Sequence, residues 1–439
     1  MPSHTKSKRQ PQQKAKTKPT DAPRKHEEKI HPPQLKIEGP AAVISRRAAD
    51  RLRAGHVWVY KSDVVELLTE EKPALLPVVD QRGILLGTAL YSAASEISLR
   101  LISRDLVDDG TSWLDLLRGR IRSAVALRKP LLNEATDACR LVFSEADALP
   151  GIIADKYGDL VILQLLTKAL DNAAVRAAVV DVLREEVSPA TIIERPDPRI
   201  RELEQLSQPA AAPLFAADEN NPLMKTVFRL NGLKFHYDVN SGQKTGAFLD
   251  QGENYAAAAR YAHGEALDVC TYQGGFALHL AQSCSRVTGV DVSRAALEVA
   301  EQNLIANRDA LKSSEVDWVE ANAFDLLRDW SMSGAVYDTI VLDPPAFAKS
   351  KRAVEGALRG YKELNLRAMK MLRPGGVLVT CSCSHHVSLK DFTEIVAAAA
   401  GDAHRRVRLI ERRGAAADHP VILTIPETEY LKCLICVVE

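Results

Sequence analysis

The sequence predicts an α/β protein in which a doubly wound, mostly parallel sheet follows two smaller domains. From residue 238 on, short apolar runs that end in polar residues alternate with amphipathic helical segments, which is typical of parallel strand–helix units. Before that point the order is different, with short β-like runs first and then strands around two longer helices. We therefore expect a small β-rich domain and a central α+β domain ahead of the parallel sheet.

The overall composition is that of an ordinary globular protein with several domains. A chain of 439 residues is too long for one core, and 46% hydrophobic with 26% charged residues is typical of soluble domains. No apolar run approaches the roughly 18 to 20 residues that cross a bilayer, and no apolar signal segment is present, so we expect no membrane contact. Seven cysteines, an odd number, favour reduced thiols and a cytoplasmic location. Because the formal net charge is zero, any nucleic-acid surface must be a local patch.

Residues 1–39 are rich in Lys, Gln, Pro and Thr and almost free of large apolar groups. Such a segment cannot bury enough surface to fold, so we interpret it as a disordered basic tail. The tail is either a solubilising extension or a flexible arm for RNA phosphates.

The β-rich domain, residues 40–108, places basic side chains close to two aromatic residues. We expect strands at 42–44, at 56–60 and between 77 and 101, and a short helix at 45–54 that ends at Gly55. Bases stack on aromatic rings and phosphates attract cations, so this combination suits RNA, although helical surfaces often carry such charges without a ligand. The candidate RNA-binding residues here are Arg46, Arg47, Trp58 and Lys61.

The central domain, residues 109–237, is predicted to hold two helices, at 111–128 and 172–186. The expected strands of this domain lie at 140–143, 160–166 and 191–194, and residues 205–221 are expected to form a loop.

In the last domain, residues 238–439, the predicted strands and helices alternate along the chain. The strands are expected at 266–270, 287–291, 316–319, 337–343 and 377–381, the helices at 276–282, 294–308 and 359–372, and two further antiparallel strands at 419–425 and 430–438.

Polar residues cluster where these predicted strands end. Gly274 and Gly275 open the helix after the first strand, and Asp291 at the end of the second can bind a ribose diol. Cys270 and Tyr272 stand where a dinucleotide enzyme needs glycine, which favours a smaller adenosyl cofactor over NAD.

An acid and a thiol are expected in the same cleft. Asp343 ends the fourth predicted strand, and Cys381 and Cys383 end the fifth, so neighbouring strands bring them together. Period-two spacing also puts Cys381, Cys383 and His385 on one face, which would allow a metal site. No supporting carboxylate is evident for that alternative, and we predict no metal.

Several motifs resemble those of one known family. Residues 343–347 (Asp-Pro-Pro-Ala-Phe), 380–387 and 271–276 look like signatures of the S-adenosylmethionine-dependent methyltransferases that modify carbon 5 of cytosine in large ribosomal RNA, of the large subunit methyltransferase I type. Residues 242–251 and 141–155 are similar to other motifs of that family, and residues 42–63 resemble its PUA domain, an RNA-binding fold. The resemblance covers the chain beyond its first forty or so residues.

The resemblance implies a class I methyltransferase fold, S-adenosylmethionine as cofactor and 23S ribosomal RNA or a large-subunit precursor as partner. Cys383 is then the nucleophile that adds to carbon 6, because an adduct there makes carbon 5 reactive. Asp343 is expected to hydrogen-bond the base at its ring nitrogen. Pro345 and Phe347 are expected at the substrate. The expected cofactor-binding residues are Phe248, Asp250, Asp268, Tyr272, Gly274, Gly275, Asp291, Asn322, Asp343 and Pro344.

The sequence departs from the family pattern at four positions and leaves other functions open. Ala346 stands where relatives commonly have a lysine. Asn322 stands where relatives usually have an acid near the adenine, and both arginines of the family's Asp-Gln-Arg-x-Asn-Arg motif are replaced, by Gly252 and Tyr255. One alternative is a methyltransferase of the same fold that acts on a guanine nitrogen. Another is a non-catalytic RNA-binding assembly factor. A homodimer is compatible with the sequence but is not required by it.

Overall fold

The computed structural model describes residues 36–71, 73–108, 110–240, 247–311, 314–348 and 350–439. The predicted basic tail, 1–39, lies outside the described residues except for its last four positions, where Lys36 forms a β-bridge with Ile84. Half of the loop motif at 242–251 also lies outside them, since the description resumes at Ala247.

The first sheet is small and mixed. Ser45 caps its helix by accepting the main-chain N–H of Ala48, and Gly55, with a φ of 103°, follows the helix end as predicted. The sheet order is β2-β6-β5-β4-β1-β3, and only β1 and β4 pair in parallel. The elements are β1 (Ala42–Ile44), α1 (Arg46–Arg53), β2 (Trp58–Tyr60), β3 (Val64–Leu67), β4 (Leu75–Val79), β5 (Leu85–Tyr91) and β6 (Ile97–Ser103).

The central region packs two helices against a five-stranded sheet of order β11-β10-β9-β8-β7. A hairpin follows it, and Tyr157 of the sheet stacks on Tyr237 of the hairpin with ring centroids 4.3 Å apart, so the two share one core. The elements are α2 (Thr111–Arg128), β7 (Ala138–Phe143), β8 (Ile152–Tyr157), β9 (Leu160–Leu165), α3 (Ala173–Val187), β10 (Thr191–Glu194), α4 (Pro198–Leu203), β11 (Phe215–Ala216) and the hairpin strands β12 (Lys225–Leu230) and β13 (Leu233–Asp238).

The third sheet has seven strands in the order β16-β15-β14-β17-β18-β20-β19. All neighbours run parallel except β20, which pairs antiparallel with both β18 and β19. The elements are α5 (Gly252–Tyr261), β14 (Glu265–Val269), α6 (Gly275–Leu280), β15 (Arg286–Asp291), α7 (Arg294–Ala306), β16 (Glu315–Glu320), α8 (Ala323–Ser333), β17 (Tyr337–Leu342), α9 (Val354–Met371), β18 (Leu372–Ser382), α10 (Leu389–Asp402), β19 (Val407–Arg413) and β20 (Lys432–Val438).

The chain order reverses between β14 and β17, because β15 and β16 extend to one side of β14 while the later strands extend to the other. In open α/β sheets, ligands bind beyond the carboxyl ends of the strands at such a reversal. The predicted fold class is confirmed, whereas the residue boundaries that we gave to the domains stay predictions.

One predicted strand is wrong. Residues 419–425 form no strand, and the edge strand β19 lies earlier, at Val407–Arg413. Val407 and Leu409 are half-buried, but Arg408 lies between them and the strand ends in Glu411, Arg412 and Arg413, so the sequence looks too charged for a strand. The predicted partner at 430–438 is confirmed as β20, beginning two residues later.

Residues 414–431, between β19 and β20, contact both smaller domains. The carbonyl of Asp418 accepts two hydrogen bonds from the Arg128 guanidinium, and its carboxylate accepts the main-chain N–H of Arg140 at 2.8 Å. His56 Nε2 lies 3.2 Å from Glu427, and the Thr424 hydroxyl donates to the Gly55 carbonyl at 2.9 Å. The same segment supplies Ile422 and Ile425 to one wall of a cavity of about 670 Å³ between the first sheet and α2.

Candidate active site

The ends of β14, β17 and β18 meet at the reversal of the sheet. Asp343 directly follows β17, and its main-chain N–H donates to the carbonyl of Val269 at the end of β14, at 3.2 Å. Cys383 directly follows β18, and its thiol points to the carbonyl of Pro344 with an Sγ···O distance of 4.0 Å. The acid-bearing loop and the thiol that we predicted for one cleft therefore lie in contact.

Ser384 ties these two loops together. Its hydroxyl oxygen accepts the main-chain N–H of Ala348 at 3.1 Å and shares a 2.9 Å hydrogen bond with the Tyr361 hydroxyl. Pro345 is exposed between the two loops, and Phe347 packs its ring 4.8 Å from that of Tyr361. Hydrogen bonds at Asp343 and Ala348 thus fix the loop after β17 on both sides of the predicted substrate residues.

The loop between β14 and α6 turns sharply. Cys270, Tyr272 and Gly274 have φ angles of 66°, 52° and 83°, in the left-handed region that costs energy for residues other than glycine. A Cβ on Gly275 would lie 2.6 Å from the Tyr255 ring, so this glycine is needed for helix packing. Strain concentrated in one loop is typical of binding sites.

Asp291 fixes that loop from the end of β15. Its Oδ2 accepts the main-chain N–H of Tyr272 and its Oδ1 that of Ser293, both at 2.9 Å. The carboxylate is half-buried and keeps lone pairs on both oxygens, as a group that binds a ribose diol needs. Phe248 lies edge-on to Tyr272 at 5.1 Å, beside the same loop.

Three carboxyl groups line the cleft, from Asp250, Asp268 and Asp343. Asp268 accepts from the Thr271 hydroxyl at 2.6 Å and from the main-chain N–H of Ala277 at 2.9 Å, both at Oδ2. Asp250 accepts from the Tyr430 hydroxyl at 2.5 Å. The Oδ1 atoms of both aspartates are buried and have no hydrogen-bond partner among the described residues.

The negative charge of this group is poorly compensated. Burial, and then the charge of Asp291, raise the pKa of Asp268 to about 7. Burial, followed by the charges of Asp250 and Asp268, raises the pKa of Asp343 to about 8, against a hydrogen bond from Gln251 that lowers it. Within the described parts of the chain, no arginine or lysine forms an ion pair with any of the three carboxylates. The cleft therefore favours a cationic ligand.

Asn322 has a structural role that we did not predict from the sequence. It caps α8, and its Oδ1 accepts the main-chain N–H groups of Phe324 at 2.9 Å and Asp325 at 3.4 Å. Both acceptor positions of that oxygen are used, so the oxygen that we expected to meet the adenine amine is committed to the helix. A contact between Asn322 and the cofactor stays a prediction.

Lys432 is a residue of the cleft that the sequence analysis missed. It lies on β20, is only 5% exposed, and donates from Nζ to the carbonyls of Ser384 and Tyr430 at 2.7 Å each. Burial lowers the pKa of this lysine to about 8, although the nearby Cys383 thiol and Glu429 act in the opposite direction. A single lysine in the apolar run 431–438 was the available signal, because buried lysines are rare and need partners.

The predicted RNA residues of the first domain fall into two groups. Arg46 and Lys61 are exposed, with Arg46 Nε 3.8 Å from Asp50, and Arg47 is exposed but donates to Asp63 at 2.8 Å. Trp58 is half-buried, and its indole N–H donates to Glu145 of the central region at 2.9 Å. The indole thus takes part in a contact between domains that the sequence did not reveal.

His385 and His386 are both exposed, and all seven cysteines are free thiols. Across the described ranges, no group of three His, Cys, Asp or Glu side chains is arranged to hold a metal ion. No helix of the described chain is both long and apolar enough to cross a membrane.

Comparison with known proteins agrees with this geometry. A family described as PUA-like domain matches residues 43–104, and one described as S-adenosylmethionine-dependent methyltransferase matches residues 179–424, more than half of the chain. Ribosomal RNA large subunit methyltransferase I of Photobacterium profundum is 37% identical over 394 residues, which cover 88% of this chain and 96% of that relative. The chain belongs to the ribosomal RNA large subunit methyltransferase I family. The family members of Erwinia tasmaniensis and Shewanella amazonensis are 36% and 38% identical and cover 90% and 87% of this chain, with 98% and 94% of their own lengths.

Solved structures share the fold of this family member. A candidate SAM-dependent methyltransferase from Streptococcus mutans superposes with a TM-score of 0.75 at 19% identity, over 91% of this chain and all of the other. A candidate methyltransferase in complex with SAH gives the same TM-score at 20% identity. At these identities the likeness extends to the fold alone.

As a member of this family the protein is an S-adenosylmethionine-dependent methyltransferase. The residues of the cleft fit that cofactor. Its sulfonium and ammonium groups are cations, and Asp250 and Asp268 offer buried carboxylate oxygens without partners. Asp291 beside the strained loop offers acceptors for the ribose. Which of the predicted residues hold each part of the cofactor stays a prediction.

Proposed function

We propose that the enzyme transfers a methyl group to carbon 5 of a cytosine in large-subunit (23S) ribosomal RNA, through a covalent adduct of Cys383 at carbon 6. The observation that carries the proposal is the contact of the Cys383 thiol with the loop that holds Asp343. The relatives that span nearly the whole chain are described as acting on ribosomal RNA of the large subunit. A nucleophile and a protonated acid at the methyl-donor cleft are what carbon-5 chemistry requires.

The chemistry begins at the thiol. Carbon 5 of cytosine is a poor nucleophile, and addition of the Cys383 thiolate to carbon 6 makes carbon 5 electron-rich. S-Adenosylmethionine, when bound, supplies an electrophilic methyl group. After methylation, water takes the proton from carbon 5 and the thiolate leaves carbon 6, which restores the ring double bond and frees the enzyme. Atoms balance, because one methyl group replaces one proton.

Asp343 stabilises the negative charge that develops on the base when the thiolate adds to it. With a pKa of about 8, its carboxyl group is largely protonated at neutral pH and can donate a hydrogen bond to the ring nitrogen next to the exocyclic amine. The carbonyl of Pro344, next along the chain, can accept from that amine. These contacts favour cytosine over a base whose ring nitrogen donates a hydrogen bond and whose exocyclic group accepts one.

Lys432 helps to form the thiolate. A free thiol is only a few per cent ionised at neutral pH. Below pH 8 the buried Lys432 is largely an ammonium ion, held on the carbonyl of the residue that follows Cys383. A fixed cation beside the thiol favours its ionised form.

The RNA must present the target base unpaired or flipped, because carbon 6 is attacked from the face of the ring and unstacking costs a few kcal/mol. The PUA-like domain supplies exposed cations at Arg46 and Lys61 for phosphate contacts. The cytoplasmic location and a homodimer stay predictions. The alternative of a non-catalytic assembly factor is wrong, since the family is an enzyme family.

Cys383→Ala tests the proposal. We expect this variant to lose at least about a thousandfold in methyl transfer to ribosomal RNA that lacks the modification. Cys381→Ala, a buried thiol two positions away, serves as the matched control, and thermal melting checks that both variants fold.

Two measurements separate the outcomes. RNA that contains 5-fluorocytidine should form a denaturant-resistant complex with the wild type and none with Cys383→Ala, because fluorine cannot leave as a proton does. Mass mapping of the product base should find 5-methylcytosine. A methylated guanine, or full activity of Cys383→Ala, would show that the proposed chemistry is wrong.

A further inference from the structure

Four side chains form a hydrogen-bonded chain that runs from β19 to the cleft. Arg413 donates from Nε to Oδ1 of Asn254 at 2.9 Å, and Asn254 donates from Nδ2 to Oε1 of Gln251 at 2.7 Å. Gln251 then donates from Nε2 to Oδ1 of Asp343 at 3.0 Å. Gln251 and Asn254 are 3% and 1% exposed, so water does not replace these bonds.

The donor and acceptor in each of these hydrogen bonds are fixed by the chemistry of Arg413. A guanidinium has donors only, so the Asn254 atom that faces Arg413 must be its oxygen. The Asn254 amino group then faces inward, where it meets the Gln251 oxygen and the Gly414 carbonyl, the latter at 3.0 Å. With its oxygen occupied by that donor, Gln251 can present only its amino group to Asp343. An amide orientation is otherwise ambiguous, and here the arginine resolves it.

We propose that Arg413, Asn254 and Gln251 form a one-way relay that keeps Oδ1 of Asp343 an acceptor, so that the proton of Asp343 sits on Oδ2 and faces the substrate. The inference rests on the proposed function, in which this carboxyl donates to the base. The three residues are positioning residues, since they act through Asp343.

The donor at the start of the relay, Arg413, lies on β19 and not in the sequence motif that contains Gln251 and Asn254. The family motif that includes Gln251 and Asn254 usually carries two arginines, and this chain has Gly252 and Tyr255 there, both packed in the interior. Arg413 reaches Asn254 from a strand 159 positions later in the chain. A guanidinium is thus present at the relay although neither motif arginine is.

A purely structural role is the competing explanation. Arg413 also pairs with Glu411 and Glu253, so the network could only join β19 to α5. Such a role would not change where Asp343 holds its proton. The other titratable groups that face Asp343 are the carboxyls of Asp250 and Asp268, the thiols of Cys270 and Cys381 and the hydroxyl of Tyr255, and none of them is altered in the test below.

Asn254→Asp reverses the relay without changing its shape. The new carboxylate still accepts from Arg413 but cannot donate to Gln251, so the Gln251 amide should turn and present its oxygen to Asp343. That oxygen pairs only with a protonated carboxyl, and the pKa of Asp343 should rise by about one unit or more. The readout is the titration of the carboxyl carbons of ¹³C-labelled aspartate in the full chain, without RNA or cofactor, with the Asp343 signal assigned by Asp343→Asn.

Two controls separate the relay from simple charge. Asn307→Asp is matched, because buried Asn307 also donates two hydrogen bonds and accepts one, and it should leave Asp343 unchanged. In a Gln251→Met background there is no amide to turn, so Asn254→Asp should add less than about 0.3 unit to the pKa of Asp343. An equal rise in both backgrounds would mean a direct field effect and would overturn the relay, as would no rise at all.

These titrations need neither methyl transfer nor RNA. The relay can therefore be supported while the Cys383 experiment contradicts the covalent chemistry, or fail while that experiment succeeds. Thermal melting of each variant confirms that the titrated protein is folded.

Discussion

The ammonium group of Lys432 donates to the main-chain carbonyl of Ser384, the residue after Cys383, at 2.7 Å. The pairing of β18 with β20 places Lys432 directly opposite Ser382, so the sheet fixes the position of its main chain. The ammonium group itself is held by two carbonyls just outside these strands, those of Ser384 and Tyr430.

Lys432→Met should make Cys383 less reactive at neutral pH. Methionine keeps the volume of the lysine stem but removes its charge, so thiolate formation should shift upward by about one pH unit, a tenfold loss of alkylation rate. The pKa of Lys432 is lowered to about 8, so the lysine is charged below that pH and the difference from wild type should shrink above about pH 9. Iodoacetamide labelling of Cys383, followed by mass spectrometry across pH, gives the profile. Lys390→Met on the surface of α10 is the control, and identical profiles for the two variants would contradict a role for the Lys432 charge.

Binding of S-adenosylmethionine should release protons. At pH 7 the buried carboxyl of Asp268, with its pKa raised to about 7, still holds about half of its proton. A bound cation lowers that pKa, so the proton leaves, most strongly near pH 6 to 7 and hardly above about pH 9, where the group is already ionised. Calorimetry in buffers of different ionisation enthalpy measures the release. Asp268→Asn should reduce it, and a binding enthalpy that is independent of buffer would disprove the prediction.

Two glycine-to-alanine changes should shift the free energy of unfolding in opposite directions. A Cβ on Gly289 in β15 would lie 2.4 Å from the Trp318 ring, so Gly289→Ala should lower the free energy of unfolding by about 1 to 3 kcal/mol. Gly119 is exposed inside α2 with no atom within 4 Å of an added Cβ, so Gly119→Ala should raise it by about 0.5 to 1 kcal/mol. Urea unfolding followed by circular dichroism tests both, and a stabilised Gly289→Ala would be the contrary result.

The PUA-like domain should bind RNA through phosphate contacts. Replacing both Arg46 and Lys61 by alanine should weaken binding to a large-subunit RNA fragment, and the slope of log affinity against log salt should become shallower by about 1.4 to 1.8, since each phosphate contact contributes about 0.7 to 0.9. Arg286 and Arg328 are each paired with aspartates and serve as a control pair, whose removal should leave the slope nearly unchanged. Equal effects of the two double variants would locate the RNA elsewhere.

Local periodicity was sufficient for most elements of the fold. The helix at Thr111–Arg128 has the bounds that we predicted, because its apolar residues repeat with the helical period. The strands at Ala42–Ile44 and Thr191–Glu194 also have the predicted bounds, because each contains a short apolar run rich in β-branched residues. The segment at 419–425 misled the prediction. Its β-branched residues are typical of strands, but they serve contacts with domains far away in the sequence.

The site was predictable where a residue follows a strand and not where it depends on a distant partner. Asp343 and Cys383 follow β17 and β18, so their proximity follows from parallel strands ending at one edge. Nothing near Asn254 in the sequence indicates Arg413 as its donor, and nothing near Trp58 indicates Glu145. Such pairings are decided by tertiary packing, which single-sequence patterns do not record.

The long-range contacts of residues 414–431 also form late during synthesis of the chain. His56 and Glu427 are 371 positions apart, so at usual rates of translation roughly 20 to 70 seconds separate the synthesis of the two side chains. Throughout that interval the cavity beside α2 lacks the wall that Ile422 and Ile425 later provide. In a nascent chain the PUA-like domain therefore lacks its contacts with residues 414–431 until the last strands of the third sheet are synthesised.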